Sequence, residues 1–335
     1  MKTHTEVVVK STTTELLGSA PGVVEPTEKG TNRPRKASFR ATLGLSETKA
    51  PIEQLHDFPA VIGHRGALYE ELENTIPSFL RCAEWGCAGV ELDVFTLKDG
   101  RVVVFHGAGT DEDPGWLRNY CLDRDGINIL DLTYPEVQQL RFDTNFEEFP
   151  CDADKIVTAR IPLLVDVLQA LRGTGLEIKI ELKHPNTVSP VLEIVDSLGM
   201  NNQCSYSSFN HANLFELRKL RPSAEVYPTG ALFNTPVPTD YLERAKACGA
   251  TQIHFRYDTC TVERVKETRQ AGFASMAWMR GPVGMAYDSE IRYSDMGNED
   301  KDCYYALWET GVDQICCNRP DVALSLRDAK ENINV

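Results

Sequence analysis

From Pro59 onward, short runs rich in β-branched residues alternate with amphipathic stretches. This rhythm dictates parallel strands joined by helical crossovers. Strands are predicted over 60–64, 89–94, 177–182, 204–209, within 224–233, and over 252–256, 273–279 and 312–317. Helices are predicted over 74–85, 163–171, 190–198, 213–220, 240–248, 262–270, 304–309 and 322–330. A further short strand over 102–106 follows an Asp99-Gly100 turn and reads as a hairpin arm on the second strand. A polar stretch from 107 to about 160 interrupts the rhythm. Eight strand–helix units point to an α/β fold, a (β/α)8 TIM barrel with a small insertion after strand two. The competing open, doubly wound sheet lacks its glycine-rich nucleotide loop, since no GxGxxG follows any strand.

Residues 1–55 have a different composition, rich in Thr, Ser, Pro, Glu and Lys, and contain the basic cluster Arg33-Pro34-Arg35-Lys36. They read as a disordered or loosely attached arm ahead of a barrel domain over 56–335, whose insertion occupies about 107–160. The formal net charge of −14 argues against nucleic acid as a partner and weighs against an anionic membrane. The ten cysteines form no CxxC pair and several lie inside apolar strands, as expected of reduced, buried thiols in a cytoplasmic protein. No run approaches the ~20 apolar residues of a membrane span, and the first residues lack the apolar core of a signal peptide. Peripheral membrane contact and oligomeric state are left open.

In a barrel of this kind the chemistry sits at the C-terminal ends of the strands. Strand one ends in His64-Arg65-Gly66, strand two carries Glu91 and Asp93, and the hairpin arm ends in His106. The third barrel strand ends in Glu181-Leu182-Lys183. Glu91 and Asp93, two apart on a strand, face the same side, where two carboxylates repel unless a cation lies between them. Glu181 can complete a three-carboxylate oxygen site suited to Mg²⁺ or Ca²⁺ and not to zinc. The rival reading is a set of surface salt bridges with Arg65 and Lys183. Two histidines at one rim, His64 and His106, supply a general acid and a general base. Arg65 and Lys183 can neutralise phosphoryl oxygens. Trp278 and Phe209 at strand ends either wall a substrate pocket or fill the core, and Trp278 is grouped with the substrate-binding residues. His254 and Arg256 share one face of a later strand and could extend the phosphate site. His, Arg, carboxylates and His together fit phosphoryl chemistry.

The stretches Gly63-His64-Arg65-Gly66, Glu73-Asn74-Thr75, Val90-Glu91-Leu92-Asp93-Val94, Lys98-Asp99-Gly100 and Val103-Val104-Phe105-His106 closely resemble the glycerophosphodiester phosphodiesterase family. The resemblance continues through Asp131-Leu132-Thr133, Ile161-Pro162-Leu163, Ile180-Glu181-Leu182-Lys183 and Ser208-Phe209 to Pro320-Asp321, and so spans roughly 59–330. It implies a barrel enzyme that hydrolyses glycerophosphodiesters to sn-glycerol 3-phosphate and an alcohol. It also implies a divalent metal at Glu91, Asp93 and Glu181, with an acid/base pair at His64 and His106. Attack by a substrate hydroxyl, giving a cyclic phosphate, or by water directly is left undecided. Three positions depart from the family pattern. Gly107 replaces an Asp, Gly109 to Trp116 replaces the usual segment after it, and the last strand ends in Cys317-Asn318 where Thr-Asp is usual. Two alternatives keep the barrel. One is a phospholipid or lysophospholipid phosphodiesterase, for which Trp116, Tyr120 and Tyr134 are candidate rim aromatics. The other is a non-catalytic barrel that binds a phosphorylated ligand.

Overall fold

The computed structural model describes residues 38–107, 115–117, 121–122, 126–144, 151–280 and 299–332. Arg33–Lys36, Tyr120 and most of 109–116 lie outside them. Eight parallel strands form the barrel: β1 (Ala60–Gly63), β2 (Gly89–Thr96), β4 (Glu177–Leu182), β5 (Cys204–Ser208), β6 (Thr229–Phe233), β7 (Gln252–Arg256), β8 (Ala274–Trp278) and β9 (Gln314–Cys317). β1 pairs with both β2 and β9 and so closes the ring. The short β3 (Val102–Val104) pairs antiparallel with the end of β2, as the Asp99-Gly100 turn predicts.

Every residue of β2 is buried, because helices cover one face and the barrel interior the other. Val90, Leu92 and Val94 join the main apolar cluster between sheet and helices, and by alternation Glu91 and Asp93 point inward. Ile62, Met276 and Cys316 make a small apolar layer inside the barrel, with Trp278 packed against it. The interior also holds Lys179, 1% exposed, whose ammonium donates to Glu177 at 2.7 Å and to Gln252 at 3.1 Å. His254 Nε2 bonds Gln252 Oε1 at 3.0 Å in the same network. Its ring fills the space beside Gly230, where any Cβ would come within 2.1 Å of it. His254 is thus a residue of the barrel interior, held through Nε2, with Nδ1 buried without a partner among the described residues.

Eleven α-helices are described, among them α2 (Ile76–Trp85), α5 (Leu164–Leu171), α6 (Val188–Leu198), α7 (His211–Leu220), α8 (Tyr241–Ala247), α9 (Val262–Gln270), α10 (Lys301–Glu309) and α11 (Pro320–Glu331). α2 begins two residues later than its apolar spacing predicts. Asn74 is left-handed at φ 56 and Thr75 is extended, so the chain turns before Pro77 opens the first turn. α6 and α11 begin two residues earlier than predicted, because their prolines fall in the first turn, where a missing N–H costs nothing.

The segment after β3 is no featureless loop. α3 (Tyr134–Val137) and α4 (Ala153–Thr158) help bury a second apolar cluster against the hairpin, including Phe95, Val103, Phe105, Ile129, Leu140, Ile156 and Ile161. Residues 38–55, read from composition as part of the arm, carry α1 (Phe39–Thr42), a fully buried Leu43 and an ion pair from Arg40 to Glu309. All ten cysteines are buried free thiols. Among the described residues no helix is long and apolar enough to cross a membrane.

Candidate active site

The site is built where β1, β2, β4 and β9 end. His64 leaves β1 with its N–H bonded to Cys317 O at 2.9 Å, and Arg65 then adopts a left-handed conformation, φ 56. Gly66 follows at φ 91, packed so tightly on Ser78 that a Cβ would lie 2.3 Å from its hydroxyl. A left-handed non-glycine residue costs about 1–3 kcal/mol and persists only where its surroundings impose it. Here the surroundings are visible. The Arg65 N–H donates to Glu91 Oε2 at 3.1 Å, and its carbonyl accepts from Asn74 N at 2.9 Å and Ser78 Oγ at 3.2 Å. Asn74 in turn donates through Nδ2 to Asp93 Oδ2 at 2.9 Å. The loop 65–78 is therefore clamped onto the two carboxylates of β2.

Glu91, Asp93 and Glu181 each present a carboxylate oxygen, and the three atoms lie within 4.8 Å of one another. Asp93 and Glu181 are register partners across β2 and β4, which accounts for the closeness. Burial, then repulsion from Asp93 and Glu181, pushes the Glu91 carboxyl well above the usual range. Burial opposes ionisation of Asp93 as well, but Lys183, His106 and Arg65 outweigh it and lower that carboxyl. Glu91 Oε1 is buried without a hydrogen-bond partner among the described residues. An orphaned carboxyl oxygen facing two more carboxylates is what a hard divalent cation would satisfy, so the residues fit such an ion.

Salt bridges with Arg65 and Lys183 do exist, but they are buried and not at the surface. Lys183 Nζ lies 2.9 Å from Glu181 Oε1 and 3.3 Å from Asp93 Oδ1. These two carboxylates raise its pKa in spite of its burial. Arg65, 2% exposed, donates from Nη1 to both Glu73 oxygens at 3.1 Å and has Nε 3.6 Å from Asp93 Oδ2. Glu73, given no role from the sequence, holds the guanidinium over the site.

His64 turns Nε2 toward Glu91 Oε2 at 3.9 Å and Nδ1 to Asn318 Oδ1 at 2.8 Å. Burial and the neighbouring Arg65 charge bring its pKa down to about 3. His106 comes to the same place because Phe105 N bonds Asp93 O at 2.9 Å, carrying the chain back over β2. Burial, then Arg65 and Lys183, holds its pKa well below the ordinary value. Gly107 beside it has φ 76, a conformation that an Asp would adopt only with strain. Trp278 packs edge-on against Phe209 with centroids 5.5 Å apart, and its indole Nε1 is buried without a partner among the described residues. Arg256 pairs with Asp258. Of the aromatics considered for lipid contact, Trp116 and Tyr134 are half-buried.

A sequence model of the glycerophosphoryl diester phosphodiesterase family matches residues 64–322. The glycerophosphodiester phosphodiesterase of Caldanaerobacter subterraneus subsp. tengcongensis is 27% identical over 223 residues, 65% of this chain and 84% of that protein. A lysophospholipase D of Rattus norvegicus is 27% identical over 197 residues, and the match spans 54% of this chain and 59% of that one. Among solved structures, an Oleispira antarctica phosphodiesterase in complex with the product sn-glycerol-3-phosphate superposes with TM-score 0.62 at 21% identity, over 81% of this chain and 97% of that one. The glycerophosphodiester phosphodiesterase of Thermotoga maritima gives TM-score 0.55 at 24% identity, over 81% and 99%. At those identities the two structures speak for the barrel.

Proposed function

The chain belongs to the glycerophosphoryl diester phosphodiesterase family, and on that premise we propose that it hydrolyses glycerophosphodiesters to sn-glycerol 3-phosphate and an alcohol. The observation that carries this reading is the buried cluster of Glu91, Asp93 and Glu181 with its orphaned Glu91 oxygen, flanked by His64 and His106. In this reading the three carboxylates hold Mg²⁺ or Ca²⁺, which when bound neutralises charge on the phosphoryl oxygens. Lys183 and Arg65 add fixed positive charge beside it, steadied by Glu181, Asp93 and Glu73. His64 takes a proton through Nε2 from the attacking hydroxyl, whether of water or of the glycerol itself. His106 gives a proton to the departing alcohol oxygen, which requires that the phosphodiester's negative charge offset Arg65 and Lys183 and let it protonate. If the glycerol hydroxyl attacks, the two imidazoles exchange roles when water opens the cyclic phosphate; if water attacks, both are reset by proton exchange with solvent. Trp278 is assigned to substrate binding in this reading, a role supported by its indole N–H being buried without a partner among the described residues. The catalytic unit is assigned to 56–335. With ten buried free thiols, a reducing cytoplasmic setting is the compartment proposed.

A lysophospholipid substrate is the second reading. It is supported by the rat relative's name and by Leu122 and Val157, 49% and 58% exposed within the insertion. Equal concentrations of glycerophosphocholine and lysophosphatidylcholine, each with metal supplied, separate the two. The soluble diester is expected to turn over at least about tenfold faster in kcat/KM, a difference of ~1.4 kcal/mol. The reverse ratio would transfer the assignment to the lipid.

A further inference from the structure

Outside the acidic cluster, four donors converge on one buried carboxylate, that of Glu299. Tyr304 Oη donates to its Oε2 at 2.7 Å, and the backbone N–H groups of Asn318 and Arg319 donate to the same oxygen at 2.9 and 3.2 Å. The side-chain amide of Asn318 donates to Oε1 and also to the Arg280 carbonyl oxygen, the latter at 3.1 Å. Burial lifts the Glu299 carboxyl to about 7, and its four hydrogen bonds oppose that rise. The Arg280 carbonyl only accepts, as does Glu299 in its ionised form, so the nitrogen end of the Asn318 amide must face them. The oxygen end is thereby turned to His64 Nδ1, 2.8 Å away. An amide oxygen also only accepts. In the neutral imidazole the hydrogen is then on Nδ1 and the lone pair on Nε2, the nitrogen that faces the acidic cluster.

From this chain of bonds we propose that Glu299 and Asn318 are positioning residues, which lock His64 in the Nδ1–H tautomer and so present Nε2 as the proton acceptor. The proposal rests on the reading of His64 as the base. An asparagine offers a donor and an acceptor at nearly the same place, so it orients a histidine only where something fixes which end faces the ring. Glu299 and the Arg280 carbonyl supply that constraint. Neither Glu299 nor Asn318 needs to touch substrate.

Glu299→Gln tests the lock with little change of shape. Both Glu299 oxygens face donors, so the new amide nitrogen must meet either two fixed backbone N–H groups or the rotatable Asn318 amide. The second yields: Asn318 gives up its bond to the Arg280 carbonyl, turns its nitrogen toward His64 Nδ1, and the imidazole hydrogen moves to Nε2. In the metal-loaded enzyme kcat is expected to fall about 10–100-fold with KM within about twofold, part of the 10²–10⁴ that acid–base catalysis supplies. In ¹⁵N-histidine-labelled protein the His64 signals are expected to change from Nδ1–H to Nε2–H. Adding Asn318→Asp to Glu299→Gln should restore both, since a carboxylate at position 318 accepts from the new amide at position 299 and from His64 Nδ1–H. A residue that merely stabilised the fold would produce no such rescue.

The proposal is overturned if Glu299→Gln keeps the Nδ1–H tautomer, or if the double variant leaves the tautomer inverted. A changed tautomer with unchanged kcat would uphold the lock and refute His64 as the base, so the two failures are distinguishable. Should Glu299→Gln not fold, Asn318→Leu removes the acceptor directly, and Nδ1–H persisting as the dominant form there would refute the lock.

Discussion

Replacing His64 with Ala lowers kcat by on the order of 10²–10⁴ and leaves KM within a few-fold, because general acid–base catalysis acts in the transition state. The same is expected of His106→Ala. Burial, then the charges of Arg65 and Lys183, keeps both imidazoles from protonating as freely as exposed histidines. Because one takes a proton while the other gives one, their losses are not additive. The double variant should be little worse than the poorer single variant. Steady-state kinetics on a soluble glycerophosphodiester measures this, and a His64→Ala enzyme with more than half the wild-type kcat would remove His64 from the mechanism.

Glu91→Gln is expected to have opposite effects on activity and on metal-free stability. Without a cation, the Glu91 carboxylate is buried, repelled by Asp93 and Glu181, and left with one oxygen unpartnered. A neutral amide removes the repulsion, so metal-free Glu91→Gln should melt at or above the temperature of metal-free wild type. Bound metal reverses the ranking. At 100 times its dissociation constant an ion stabilises the native state by about 2.7 kcal/mol, and most of that gain should vanish in the variant. Activity should fall by about 10²-fold or more, since charge stabilisation by the ion is worth several kcal/mol. Thermal melts with and without Mg²⁺ or Ca²⁺ read the two effects together. A variant whose melting temperature rises with metal as much as the wild type's would exclude Glu91 as a ligand.

The barrel was legible because each strand carries its own signature. Glu177-Ile178-Lys179-Ile180-Glu181-Leu182 alternates with period two, and its bounds match β4. Helix starts were less so. Nothing local distinguishes Asn74 from a first helical residue until the clamp between Arg65, Asn74 and Asp93 is assembled in three dimensions. The carboxylates and histidines could be found because strand alternation and the strand-end rule place them on one rim. Glu73 and Glu299 could not be found that way, although Glu73 lies in the Glu73-Asn74-Thr75 stretch that matches the family pattern. Glu73 acts through a folded loop, and Glu299 meets Asn318 across 19 residues and bears on His64 from the far end of the chain. Such contacts have no period and no spacing. Asn318 stood out in the sequence only as a departure from a family pattern, and its partner gives that departure a physical sense.

If Glu91, Asp93 and Glu181 hold a divalent ion required for phosphodiester hydrolysis, removing that ion must stop turnover. The direct measurement is sn-glycerol 3-phosphate release from glycerophosphocholine and glycerophosphoinositol by wild-type protein. It is made first in EDTA, then after adding back excess Mg²⁺ or Ca²⁺. No turnover is expected in EDTA, with recovery on adding at least one of the two ions. Full turnover in EDTA, or none with either ion while the protein stays folded, would contradict the requirement for the ion.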